Sequence, residues 1–262
     1  MAACSASPSP PTHEADRPTR IVSLDLCADQ FVLKFVEPAR ILGVSPDAVK
    51  DFSAMREAAI GLPVVRPLAE DVLVLKPDLV VRSYGGGPGA AEFFRRAGVP
   101  VLEVGWASDI DGVLTNVERM AQGLGAGEVG RAVAENARAR LAAVGQDQDP
   151  ATALYVTPAG VTTGTGTLIH EMILAAGLSN AETRAGWHPI PLERLAYERP
   201  DLMVMADFGR LTGSPDAWTP ARHPVAQRQL SAGKSVVLPG AWTGCASWFL
   251  VDAVEAMAEG AP

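Results

Sequence analysis

Few side chains in this chain have the types and spacing of a reactive centre. The four histidines, His13, His170, His188 and His223, are scattered, and Cys4, Cys27 and Cys245 show no zinc-ligand spacing. Neither Cys27 nor Cys245 has a histidine nearby in sequence to serve as its base, and no G-x-S-x-G elbow occurs. The cysteine count is compatible with one disulfide, with the pairing open. The stretch Gly160-Val-Thr-Thr-Gly-Thr-Gly-Thr167 falls between a predicted strand and a predicted helix, where phosphate loops sit. It lacks the P-loop lysine and reads as a βα turn that offers backbone amides to a cleft.

Two other groups of residues carry more. Aromatic residues make up only 6% of the chain, so their placement is informative. Tyr84, Trp106, Trp187 and Trp242 all fall in predicted connections, and Tyr84, Trp106 and Trp242 lie just past predicted strands. Ligands of open α/β sheets bind beyond the carboxyl ends of the strands. These rings are therefore expected to form a stacking surface for a large flat or greasy ligand. The second group is a pair of carboxylates, Glu70 and Glu193, each early in a short predicted helix, where the dipole favours negative charge.

The elements that position these residues come in two similar sets. Glu70-Asp-Val-Leu-Val-Leu-Lys-Pro-Asp-Leu-Val-Val81 and Glu193-Arg-Leu-Ala-Tyr-Glu-Arg-Pro-Asp-Leu-Met-Val204 repeat Glu, Pro, Asp, Leu and Val at the same places. Each reads as a short helix, a stop at proline, and a buried strand. Strands alternate with helices on both sides of residues 109–146, which show only helical periodicity. Asp109 is an expected N-cap there, as Asp25 and Asp29 are for an earlier helix. The expected layout is an α/β chain of two Rossmann-like lobes. It comprises a disordered tether at 1–19, an N-terminal lobe at 20–124, a connecting helix at 125–148 and a C-terminal lobe at 149–262. The 262 residues are 48% hydrophobic, enough for two cores, and the net charge of −8 argues against nucleic acid as a partner. No apolar run reaches the length of a membrane span.

The ordered set Arg20-Ile-Val-Ser-Leu, Ile41-Leu-Gly-Val-Ser45, Glu70…Lys-Pro-Asp-Leu-Val-Val, Ala97-Gly-Val-Pro-Val101, Gly164-Thr-Gly-Thr…Ile173-Leu-Ala-Ala-Gly-Leu-Ser-Asn180 and Leu192-Glu193…Pro-Asp-Leu resembles the periplasmic substrate-binding proteins of ABC importers for cobalamin, iron–siderophore complexes and heme. The resemblance covers about residues 18–260. It implies two lobes joined by one long helix, a ligand cleft between them, no enzymatic activity and no resident cofactor. It also implies that Glu70 and Glu193 dock onto arginines of the permease. Trp187 stands where the cobalamin-binding protein has a cleft tryptophan, six residues before the second-lobe glutamate; the first-lobe counterpart here is Val64. Tyr84, Trp106, Trp187, His188 and Trp242 are the expected ligand contacts, with Tyr84 or His188 available to a heme iron and Arg82 or Arg222 to a siderophore. The start Met1-Ala-Ala-Cys4-Ser resembles the end of a lipoprotein signal, which implies a periplasmic protein anchored through a lipidated Cys4. The competing class is a chelatase-like or nucleotide-dependent enzyme of similar layout, using the 160–166 loop.

Overall fold

In a computed structural model, residues 17–145, 150–207 and 220–261 are described. Cys4 and most of the expected tether lie outside them. The N-terminal half contains β1 (Ile21–Ser23), α1 (Leu26–Phe35), β2 (Ile41–Gly43), α2 (Arg56–Ala59), α3 (Ala69–Leu73), β3 (Leu79–Arg82), α4 (Ala90–Arg96) and β4 (Val101–Glu103). Two longer helices follow, α5 (Ile110–Gly123) and α6 (Gly127–Ala143). The C-terminal half runs β5 (Thr152–Val156), β6 (Val161–Thr163), α7 (Leu168–Ala175), β7 (Ser179–Asn180), β8 (Trp187–Pro189), α8 (Leu192–Leu195) and β9 (Leu202–Asp207). It ends with α9 (Pro224–Ala232), β10 (Lys234–Pro239), α10 (Gly240–Gly244) and α11 (Leu250–Gly260).

The two halves build the same parallel sheet. Strand order is β2-β1-β3-β4 in one and β7-β5-β9-β10 in the other, every pairing parallel. In each, the strand after Pro-Asp sits beside the lobe's first strand. The aspartate of the repeat explains that adjacency. Asp78 accepts hydrogen bonds from the backbone N–H and hydroxyl of Thr19 at 2.8 and 2.9 Å and from the Arg20 N–H at 2.9 Å. Asp201 accepts from the N–H and hydroxyl of Thr152, both at 2.8 Å. Each carboxylate thus clamps the start of its own strand to the start of the first strand. Burial acts to raise the Asp78 carboxyl, but the donors of Thr19 and Arg20 outweigh it and hold it below its ordinary value. The Thr152 amide and hydroxyl do the same for Asp201.

Helices α5 and α6 pack along one another and reach both cores. On α5, Val117 and Met120 join the N-terminal cluster of Ile21, Phe31, Val32 and Val81, while Val113 and Leu114 join the C-terminal cluster of Tyr155, Ile173, Val204 and Val254. On α6, Val133 packs on the first and Ala134 and Ala137 lie within the second. The start of α5 is capped as expected, with Asp109 accepting from the Gly112 N–H at 2.7 Å.

Asp25 and Asp29 part company. Asp25 is the N-cap of α1. Asp29, expected as a second cap, lies inside the helix, fully buried, and accepts from the Ser45 N–H and hydroxyl. Burial raises its carboxyl to about 6, against the opposing pull of those donors. A raised pKa means that the stabilising, protonated form is fully present below the ordinary carboxylate range and is lost as pH rises through 6. Asp29→Asn retains partners for Ser45 and removes the charge. Its stability should pull ahead of the native protein's between about pH 4 and pH 6, reaching about 3 kcal/mol above that range. Urea midpoints taken across this range test it; a gap that does not change with pH would refute the buried-charge account.

Candidate functional site: a cleft between the carboxyl edges of the two sheets

The carboxyl edges of the two sheets are brought together at named points. Cys27, in the first turn of α1 and so just beyond β1, is disulfide-bonded to Cys245, just beyond α10, with Cα atoms 5.0 Å apart. Both are buried, with Leu26 and partly buried Phe52 around them. Next to this link, Trp248 of the C-terminal half packs edge-on against Phe31 and Phe35 of α1, each at 5.6 Å between centroids, with the Lys34 ammonium over its ring. A crossing of α5 and α6, a disulfide and an aromatic cluster therefore join the lobes, the disulfide lying just beyond the carboxyl end of β1 and, past α10, of β10.

On the N-terminal wall, the loop after β3 carries Tyr84. Asp25 holds that loop. While one of its oxygens caps α1, the other accepts from the N–H groups of Ser83, Tyr84 and Gly85 at 2.6, 3.1 and 2.8 Å. The close approach demands glycine at 85, where a Cβ would meet the Leu24 carbonyl oxygen at 2.4 Å. Arg82, expected to be free for a siderophore, is buried and fully engaged below the loop. Its guanidinium donates to the carbonyls of Gly85 and Gly87 at 2.9 and 3.2 Å and to Glu103 at 2.8 Å. Tyr84 is 57% exposed. Desolvation of its hydroxyl, with Asp25 and Asp47 nearby, pushes the phenol up to about 12, so it stands as a neutral hydrogen-bonding group.

On the C-terminal wall, Trp187 is not in a connection, as its sequence context suggests, but in β8, paired antiparallel with β6. The pairing uses Val161–Thr163 of the Gly160–Thr167 stretch, and residues 164–167 turn from that strand into α7. The Gly160 N–H donates to the Thr157 carbonyl at 2.9 Å and the Gly164 N–H to the Gly186 carbonyl at 3.0 Å. Those amides hold the hairpin and are not free for a phosphate. Glu182, buried, grips Arg184 through two hydrogen bonds at 3.0 and 2.9 Å, which with a nearby Arg194 lowers its carboxyl to about 2. That pair closes the turn leading into β8.

Trp187 is half exposed and stands edge-on to Tyr155, 6.2 Å between centroids. The Tyr155 hydroxyl donates to Thr243 of α10 at 3.3 Å. Trp242 lies in α10, half-buried against the C-terminal core. The structure thus connects Trp187, Tyr155 and α10 on one wall; Tyr155, a fully buried β5 residue, carried no sequence sign of this role beyond its place on a strand. The His188 Nε2 lies 2.7 Å from the Ala185 carbonyl and is taken up by its own loop. Val64 and Trp187 are each 50% exposed, so these matching positions of the two lobes have the same accessibility. Trp106 stands 89% exposed in the segment between β4 and α5, and Arg222 is exposed in a short turn before α9. A groove of about 380 Å³ lined by Lys34, Val129, Arg140, Trp248 and Asp252 lies where α1, α6 and α11 meet, among none of the predicted ligand residues.

Glu70 and Glu193 belong to neither wall's aromatic set. They sit in the first turns of α3 and α8, exposed, and neither is in an ion pair among the described residues. No group of histidine, cysteine and acidic side chains able to hold a metal ion occurs among the described residues, and no helix among them is long and apolar enough to cross a membrane.

A sequence model described as a periplasmic binding protein matches residues 21–229. No match was found among curated proteins. Among solved structures, the chain is similar to a periplasmic heme-binding protein from Pseudomonas aeruginosa. The TM-score is 0.72, with 25% identity over 92% of this chain and 91% of that one. It is also similar to the periplasmic heme-binding protein RhuT from Roseiflexus sp. RS-1 in apo form, with TM-score 0.69 and 25% identity over 93% of this chain and 99% of that one. The fold of the periplasmic vitamin B12-binding protein BtuF of Vibrio cholerae matches as well, with TM-score 0.61 at 19% identity over 93% and 96% of the two chains. Its two equivalent parallel sheets, its facing carboxyl edges and the family match over most of its length agree, and the chain belongs to the periplasmic binding protein family.

Proposed function

We propose that this protein captures a metal-containing macrocycle or chelate, of the cobalamin or ferric-siderophore type, between its lobes and delivers it to an ABC permease. The observation that carries this reading is the distribution of aromatic surface. Exposed Tyr84 and Trp187 stand beyond or beside the carboxyl edges of opposite sheets, with Trp187 braced by Tyr155. Such surfaces grip a large flat ligand by stacking and burial rather than by ionic contact. The internal engagement of Arg82 and the neutral Tyr84 phenol favour a ligand held that way. A heme ligand is the second reading, favoured by the two solved heme-binding structures at 25% identity. Glu70 and Glu193 serve as the contacts to the permease, one on each lobe. Anchoring through a lipidated Cys4 belongs to the same proposal.

Tryptophan fluorescence separates these ligands. Addition of cyanocobalamin, hemin or a ferric hydroxamate is expected to quench emission at micromolar concentration or below, and Trp187→Ala should remove most of the quench. With hemin, Tyr84→Phe changes the visible spectrum if the phenol reaches iron; with a stacked corrinoid it leaves the spectrum unaltered. Silence with all three ligands refutes the proposal.

A further inference from the structure

We infer that each lobe carries an apolar anchor beside its docking glutamate, Val74 on the first and Tyr197 on the second. Together they make a two-point surface for a permease with matching apolar spots next to basic ones. This rests on the proposal that Glu70 and Glu193 face the permease.

The two copies of the repeat are in the same three-dimensional frame. Val72 and Leu195, at matching positions, are both buried at 0% and 2%, and each pins its helix to its lobe. Glu70 and Glu193 precede them by two residues and are exposed. Val74 and Tyr197 follow by two; Val74 is the C-cap of α3, while Tyr197 lies in the turn just past α8, its N–H donating to the Arg194 carbonyl at 3.0 Å. In the first copy the Val74 N–H donates to the Glu70 carbonyl at 3.3 Å. Val74 is 79% exposed and Tyr197 93%; of the large hydrophobic residues described, only Trp106, at 89%, is as exposed as either.

A single exposed apolar side chain on a surface needs no explanation. Recurrence of exposure at the matched position of both repeats, four residues after a carboxylate with no ion pair among the described residues, is a different observation. It defines one repeated patch, apolar and acidic, rather than two accidents. The carboxylates call for basic side chains on the partner and set orientation. Tyrosine supplies a large contact area at small entropic cost and is enriched among residues that dominate interface energetics. The two lobes offer a valine and a tyrosine, so the patches are unequal. One half of the permease then meets the larger anchor, which gives docking a preferred hand if the permease halves differ.

The test uses the full-length protein and its cognate permease reconstituted in liposomes. Val74→Ser with Tyr197→Ser is expected to weaken binding to the permease at least tenfold, with Tyr197→Ser alone giving most of it. Melting temperature and affinity for the transported ligand stay at native values. The loss persists in 1 M salt, whereas the contribution of Glu70 and Glu193 is screened away there. If the serine pair binds the permease like the native protein while Glu70→Ala with Glu193→Ala does not, the anchors are refuted and the glutamate docking stands. If both pairs bind normally, the docking face itself has been misplaced.

Discussion

Removing the Cys27–Cys245 bond is expected to cost this protein more stability than any other change at its cleft. The bond closes a loop spanning 218 residues and joins the beginning of the first lobe to the end of the second. Cross-links over long loops restrict the unfolded chain most, and native disulfides are worth about 2–5 kcal/mol. Cys27→Ser with Cys245→Ser should therefore lower the melting temperature by roughly 5–15 °C. A thiol reductant should have the same effect on the native protein and none on the variant. The lobes do not fall apart, because α5, α6 and the Trp248 cluster still cross between them. Ligand affinity should weaken as well, since the bond holds the mouth of the cleft beside the loop carrying Tyr84. Identical melting curves with and without reductant would show that the link carries no stability.

The second large effect is expected on transport alone. Glu70→Ala combined with Glu193→Ala should abolish delivery through the permease while leaving ligand affinity and melting temperature unchanged. Both side chains are exposed and outside any ion pair among the described residues, so their loss exposes no partner and opens no cavity. Each single substitution should give a partial loss, because one remaining contact still holds the partner without fixing its orientation. An exposed carboxylate contributes little to its own protein. On the proposed docking its value lies in the partner's basic group, and added salt should mimic the substitutions in part. Weaker ligand binding by the purified double variant would instead assign the glutamates to the cleft or to the fold.

Much of the architecture could be read from contiguous residues. Proline and aspartate after a short helix mark a corner by local chemistry, and β3 and β9 begin within two residues of those prolines. Helical periodicity between the repeats located α5 and α6, and Asp109 caps where its position suggested. The candidate site was less legible. Tyr84 and Trp106 stand in connections as expected, whereas Trp187 lies in a strand and Trp242 in a helix. Their segments are only three and five residues long, too short for periodicity to declare. Arg82 looked like a free cation because two of its acceptors are backbone carbonyls, which have no sequence mark, and the third, Glu103, lies 21 residues away along the chain.

The repeated stretch around Glu70 and Glu193 shows the division most clearly. Sequence established the duplication, the corners and the spacing of glutamate to proline, because each depends on neighbours along the chain. Tertiary structure decided what lies on the surface and what is spent inside. The pairing of Cys27 with Cys245, the burial of Asp29 and the grip of Asp25 on the Tyr84 loop all join residues distant in sequence. Such contacts arise only when two sheets fold and face each other, because burial and hydrogen bonding are properties of what packs around a group, not of the group's place in the chain.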